Sequence, residues 1–204
     1  METRGKLDED HVDRDPLAQF RAWLDDARAA GVFEPEAAAL ATATPDGAPS
    51  ARMVLLKGFD ERGFRFFTSY ESRKGAELEA NPRAALLLHW KELGRQVRIE
   101  GPVEHLSRRE SAEYARTRSR ASRLSALASP QSRVVASREE LEALVAQAGE
   151  RHRDGEIPLP DHWGGYLLSP QVYELWQHRE HRLHDRLRYR RGWPGPWVVE
   201  RLGP

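Results

Sequence analysis

Apolar residues first recur at helical spacing in Leu17, Phe20, Trp23, Leu24 and Ala27, behind an Asp15-Pro16 pair suited to the N-cap and first helical positions. This predicts a helix from Pro16 to near Gly31 with the stripe turned to the core. From Ala37 to Phe67 the pattern changes to short apolar runs separated by Pro45-Asp46-Gly47 and by Asp60-Glu61-Arg62-Gly63, which reads as antiparallel strands. A helix starts at Ser72 and stops at Asn81-Pro82. Ala84 to Trp90 is a nearly continuous apolar strand, and Arg95 to Leu106 alternates as another, broken by Gly101-Pro102. Ser107-Arg108-Arg109-Glu110 is a capping box for a helix that reaches Ser122 if uninterrupted, and Ser137 caps a further helix bearing Leu141, Leu144, Val145 and Ala148. The charged, proline-ended segment from His152 to Pro160 reads as a loop. Strands then return through residue 177, from 183 to 190 and from 197 to 202. The fold class expected is α+β, mainly β.

Residues 1–14 are mostly charged and are expected to form a mobile N-terminal arm, with residues 15–204 as a single domain. Lys plus Arg and Asp plus Glu both number 32, so no net charge draws nucleic acid or membrane, and any anion site is local. The absence of cysteine excludes disulfides, thiolate metal sites and a cysteine nucleophile. No histidine–carboxylate spacing suggests a metal. With no signal-like or membrane-length apolar run, a cytoplasmic location is expected.

Several polar groups interrupt this framework. In the run Arg182-Leu183-His184-Asp185-Arg186, an extended chain puts Arg182, His184 and Arg186 on one face, either as a solvated strand face or as a site. Arg52 and Lys57 bracket the run Arg52-Met53-Val54-Leu55-Leu56-Lys57, about 16 Å apart at strand rise and on opposite faces, which suits two different anions or two strand ends. Arg73 and Lys74 fall in the first turn of a helix, where the dipole disfavours cations but free backbone N–H groups suit an anion. A bound phosphate reconciles the two. Gln96 is placed to read a polar ring edge, or is merely exposed. Tyr114, Arg118 and Ser122, at i, i+4 and i+8, offer a phosphate clamp if their helix continues, although an arginine-rich stretch produces such a stripe by chance as well.

Taken together, these runs resemble the pyridoxine (pyridoxamine) 5′-phosphate oxidases. The resemblance is carried by Arg52 to Lys57, Ser72-Arg73-Lys74, Arg95-Gln96-Val97, Gln131-Ser132, Pro158-Leu159-Pro160, Trp163-Gly164-Gly165, Trp176-Gln177, Arg182 to Arg186 and Arg201-Leu202-Gly203-Pro204, in register from about residue 15 onward. It implies an antiparallel split β-barrel with flanking helices, a homodimer, and FMN at the dimer interface. It further implies that Arg52, Arg73 and Lys74 hold the FMN phosphate with Thr68 and Ser132. The rest of the Arg52–Lys57 run (Met53, Val54, Leu55, Leu56 and Lys57), Phe67, Gln96, Gln131, Trp176 and Arg186 would line the flavin. Lys57, Tyr114, Arg118 and Ser122 would bind the substrate phosphate, and Arg182 with His184 would face the substrate ring as the catalytic pair. The activity implied is oxidation of pyridoxamine and pyridoxine 5′-phosphates to pyridoxal 5′-phosphate with oxygen as acceptor, releasing hydrogen peroxide. The chain departs from the family pattern at His178-Arg179, where Gly-Gly is usual, at Ser119 and Ala121, and at Phe67, where tyrosine is common. These departures leave open a relative acting on another substrate, as in the phenazine-biosynthesis branch, or a non-catalytic FMN- or pyridoxal-phosphate-binding protein.

Overall fold

The computed structural model describes residues 7–191 and 195–204. Its elements are α1 (Pro16–Ala29), β1 (Ala37–Ala43), β2 (Pro49–Leu55), β3 (Phe59–Asp60), β4 (Gly63–Ser69), α2 (Arg73–Ala80), β5 (Arg83–Trp90), β6 (Arg95–His105), α3 (Arg108–Thr117), α4 (Arg120–Ala128), α5 (Arg138–Arg151), β7 (Trp163–Leu168), β8 (Val172–Gln177), β9 (Asp185–Arg191) and β10 (Trp197–Arg201). All strand pairings are antiparallel. One path runs β10-β9-β8-β6-β5-β1-β2, and β4 and β7 branch from it through β6. This curled sheet with flanking helices is the split barrel.

The 11-residue β6 makes the branching possible. Residues 95–100 pair with β8, whereas Val103, Glu104 and His105 pair with β7. Gly101-Pro102 does not break the strand as expected. It marks the change of partner, because the Ser169 carbonyl approaches Gly101 so closely that a Cβ there would lie 1.9 Å from it.

Asp15 caps α1 as its position suggests, its side chain accepting from the Leu17 N–H. The apolar stripe of α1 is buried, and Phe20 meets Phe59 and Phe64 edge-on with ring centroids 5.0 and 4.9 Å apart. The expected mobile arm requires correction over residues 7–14. Leu7 and Val12 are buried in the core, the Tyr189 hydroxyl donates to the Asp13 carbonyl at 2.8 Å, and Arg201 pairs with Glu9 at 2.7 Å. Two apolar residues in a charged stretch suffice to anchor it, a signal that average composition hides. Residues 1–6 lie outside the described residues.

Arginines from the α3–α4 region hold the 152–161 loop by its carbonyls. Arg108 donates to Pro160, Arg120 to Gly155 and Arg123 to Ile157. Much of the positive charge that made this stretch look like an anion site is therefore bonded to backbone. No helix among the described residues is long and apolar enough to cross a membrane.

Candidate active site

Three groups of polar side chains stand out. The first lies where α2 meets β1, β2 and β4. Ser72 caps α2, accepting from the Gly75 N–H, and turns the next two residues over the sheet edge. Lys74 Nζ donates to Thr68 Oγ1 at 3.0 Å, Gln131 Oε1 at 3.1 Å and Ser72 Oγ at 3.2 Å, all neutral acceptors. Burial, then repulsion from Arg52, pushes the Lys74 ammonium down to about 8. Arg52 donates to Thr42 Oγ1 at 2.5 Å and pairs with Glu77 at 3.2 Å, and Arg73 pairs with Glu77 at 2.8 Å. Burial alone would raise the Glu77 carboxyl, but hydrogen bonds from Ser50, Thr42, Arg73 and Arg52 outweigh it and hold the carboxyl at about 2. Thus Glu77 pairs with both arginines while Lys74 has no carboxylate partner among the described residues. Gln131 reaches this cluster from an exposed turn in which Ser132 adopts φ +69°. The cradle Ser72-Thr68-Gln131-Lys74 is a ready receptor for a small anion.

The second group is set by strand register. Gln96 on β6 pairs with Trp176 on β8, which pairs with Arg186 on β9, so the three form one row and line a cavity of about 280 Å³ with Leu87, Arg98, Glu174 and Pro204. The row shares its sheet face with Leu87 and Met53, whereas Arg52 alternates to the opposite, core-side face with Leu40. Arg52, beside Lys74, and the row of Gln96, Trp176 and Arg186 therefore lie on opposite faces of one sheet.

The loop beside this row departs from the extended run expected. Residues 180–182 form a short 3₁₀ turn in which His181 and Arg182 adopt φ of +55° and +63°, and β9 begins only at Asp185. Arg182, His184 and Arg186 are thus not three residues of one strand face. His184 Nδ1 accepts from the Arg179 N–H at 3.1 Å, so in the neutral ring Nε2 carries the proton. The His184 ring lies 4.6 Å from Trp176 and 5.1 Å from His178, and Arg179 Nε pairs with Asp185 at 2.6 Å. Arg182 is exposed on the turn. His178 and Arg179 accordingly pack beside the loop, His178 against His184 and Arg179 on Asp185.

The third group is Tyr114, Arg118 and Ser122. Their helix does not continue. Arg118 has extended ψ at the end of α3, and Ser119 caps α4 by accepting from the Ser122 N–H. The single helical stripe is corrected to a bend, in which Tyr114 stacks on Phe67 with centroids 3.8 Å apart and Arg118 lies 4.9 Å over the Trp163 ring. Ser122 joins only through the Ser119 hydroxyl at 2.9 Å. Lys57 is separate: it follows the end of β2, is exposed, and borders a second cavity with Arg28, Glu34, Glu36 and Phe59. Among the described residues Arg52 bonds Thr42 and Glu77, and Lys57 shares neither. Two residues to which the sequence pattern assigned no part in the site are Ser72 and Glu174. Ser72 was legible as a helix cap, but its second contact to Lys74 depends on the tertiary turn.

Comparison with known proteins gives concordant relationships. The family described as Pyridoxamine 5′-phosphate oxidase matches residues 24–152, and the Pyridoxine 5′-phosphate oxidase C-terminal dimerisation region matches residues 163–204. The chain is 57% identical over 203 residues to the pyridoxine/pyridoxamine 5′-phosphate oxidase of Salinibacter ruber, covering 98% of this chain and 94% of that protein. It is 55% identical to the same-named protein of Rubrobacter xylanophilus, covering 99% and 93%. Among solved structures, PhzG from Burkholderia lata in complex with tetrahydrophenazine-1-carboxylic acid superposes with a TM-score of 0.90 at 37% identity, over 96% of this chain and 95% of that one. A pyridoxamine 5′-phosphate oxidase-related, FMN-binding protein from Nostoc punctiforme shares the fold with a TM-score of 0.74 at 22% identity, over 93% and 98%.

Proposed function

Because the chain belongs to the pyridoxamine 5′-phosphate oxidase family, whose cofactor is FMN, we propose that it oxidises pyridoxamine 5′-phosphate and pyridoxine 5′-phosphate to pyridoxal 5′-phosphate, with oxygen as acceptor and hydrogen peroxide as co-product. The observation that carries this reading is Lys74, a desolvated cation whose bonded partners are all neutral. A phosphate monoester supplies the missing negative charge.

The residues fit FMN. Lys74, Arg52 and Arg73, with Thr68 and Ser132, would hold its phosphate; Gln131, the Arg52–Lys57 backbone and Phe67 would border it; Gln96, Trp176 and Arg186 would line the ring system. Arg52 lies on the sheet face opposite the row of Gln96, Trp176 and Arg186, which supports a homodimer in which each FMN takes its phosphate site from one protomer and its ring-lining row from the other. Residues 163–204, the dimerisation region, contain Trp176 and Arg186.

Bound FMN supplies the two-electron acceptor for hydride leaving the exocyclic carbon of the substrate and passes the electrons to oxygen. The protein's own part is placement. Lys57, Tyr114, Arg118 and Ser122 would hold the substrate phosphate, and the stacking of Tyr114 and Arg118 on Phe67 and Trp163 limits their freedom before substrate arrives. Arg182, on its exposed turn, would set positive charge beside the oxygen- or nitrogen-bearing substituent. His184, oriented by the Arg179 N–H, would present Nε2–H to the substrate ring.

Mixing the FMN-loaded protein anaerobically with pyridoxamine 5′-phosphate tests the reading: the flavin absorbance should bleach, and aerobic turnover should release one peroxide per aldehyde. A flavin that stays oxidised with both vitamer phosphates would refute it. The structural similarity to PhzG, together with His178 and Arg179, favours a second reading, oxidation of a reduced phenazine carboxylate. Bleaching by such a compound but by neither vitamer would select it.

A further inference from the structure

We infer that Glu174 is a positioning residue for Arg186, holding its guanidinium so that one edge is reserved for the flavin ring system; the inference rests on the proposed contact between Arg186 and FMN. Glu174 lies on β8 and is only 6% exposed. One carboxylate oxygen accepts from Arg186 Nε at 2.8 Å and the other from Arg98 Nη2 at 2.6 Å. Its direct register partner on β9 is Arg188, yet Arg188 pairs with Glu200. Glu174 instead reaches diagonally to Arg186, the neighbour that shares the cavity with Gln96 and Trp176.

The bonding of Arg186 is directional. Nε is held by Glu174 and Nη1 donates to the Gly203 carbonyl at 2.7 Å, while Nη2 makes no hydrogen bond among the described residues. A planar guanidinium fixed at two of its nitrogens leaves the third in a defined place, at the wall of a cavity that the Gln96 amide, Arg98 and Glu174 also line. Carbonyl oxygens and ring nitrogens of a flavin accept from such donors. A buried carboxylate between two arginines is a poor device for stability alone, since apolar residues of similar volume serve as well. Fixing a long side chain before the ligand arrives is a role that apolar residues cannot fill.

The test is FMN titration of the full-length apoprotein, followed by quenching of flavin fluorescence, for Glu174→Gln, Arg186→Ala and the double variant. Glu174→Gln should weaken FMN binding about tenfold, and Arg186→Ala at least as much. The double variant should bind no more weakly than Arg186→Ala, because Glu174 acts through Arg186. Multiplying losses in the double variant would overturn the inference, as would wild-type affinity in Glu174→Gln beside weakened binding in Arg186→Ala. Wild-type affinity in Arg186→Ala would instead remove the underlying contact. Glu174→Asp, which keeps the charge but withdraws it from Arg186, covers the case in which the Gln variant does not fold: it too should lose affinity, and wild-type binding would overturn the inference.

Discussion

Lys74 is protonated in both folded and unfolded chains below pH about 8, and between about 8 and its ordinary 10.5 only the unfolded chain keeps the proton. The unfolded state then binds more protons, so the stability of FMN-free protein contributed by this residue rises with pH across that window and is lowest, and constant, below it. Lys74→Met should therefore raise the melting temperature of the apoprotein at pH 7 and narrow the difference between pH 7 and pH 10. The same substitution should weaken FMN binding roughly ten- to a hundredfold, the worth of a charge-assisted hydrogen bond. A variant that gained stability and kept FMN affinity would take Lys74 out of the cofactor site. Glu77 has the opposite sign. Its carboxyl is held at about 2, so its contribution is complete above 4.5 and is lost as pH falls towards 2. Glu77→Gln leaves Arg52 and Arg73 without their shared carboxylate and should destabilise by about 3 kcal/mol at pH 7. Urea denaturation of both proteins at pH 7 and pH 3 checks this, with the gap expected to shrink in acid.

At the scale of elements, the bend between α3 and α4 decides how Tyr114, Arg118 and Ser122 meet. The Ser119 hydroxyl both caps α4 and bonds Ser122. Ser119→Ala should cost about 1 kcal/mol in thermal unfolding and raise KM for pyridoxamine 5′-phosphate while leaving the FMN dissociation constant unchanged. A change in FMN affinity with KM unaltered would contradict the separation of the two phosphate sites. This bend also shows where the sequence was legible. The Ser107–Glu110 capping box and the Asp15-Pro16 start satisfy backbone N–H groups with nearby side chains, so the local pattern carries them. Ser119 sits among arginines and alanines that favour helix and lacks an acidic N3 partner, so its cap is hidden within a helical pattern. The turn at His181-Arg182 is harder still. Its left-handed backbone occurs without glycine, asparagine or proline, so the alternation of Arg182, His184 and Arg186 suggests one extended face that the turn does not allow. Gly101-Pro102 was visible as an irregularity, but whether it ends β6 or transfers it to β7 depends on Ser169, 68 positions away in the chain.

For the whole molecule, the face that carries Gln96, Trp176 and Arg186 continues across β5, β1 and β2 as an apolar surface. Register places Leu87, Ala39 and Met53 in one row and Ala85, Ala41 and Ala51 in the next. Met53 is 64% exposed and Leu87 38%. An apolar sheet face adjoining the cavity at Gln96, Trp176 and Arg186, on the side opposite Arg52, is what two copies sharing FMN would bury. It follows that association and cofactor binding should fail together. Ala41→Arg combined with Ala51→Arg introduces two charges on this face, at exposed positions outside the residues proposed to hold FMN. The double variant should sediment as a monomer of about half the wild-type mass and lose FMN affinity by roughly a hundredfold or more, because each protomer keeps a phosphate cradle but no partner row. Its melting temperature as apoprotein, measured against wild-type apoprotein at the same protomer concentration, separates loss of association from loss of fold. A folded monomer that still bound FMN with wild-type affinity would mean that one protomer brings both faces of its sheet to a single cofactor, which the register of β1, β2, β5 and β6 opposes.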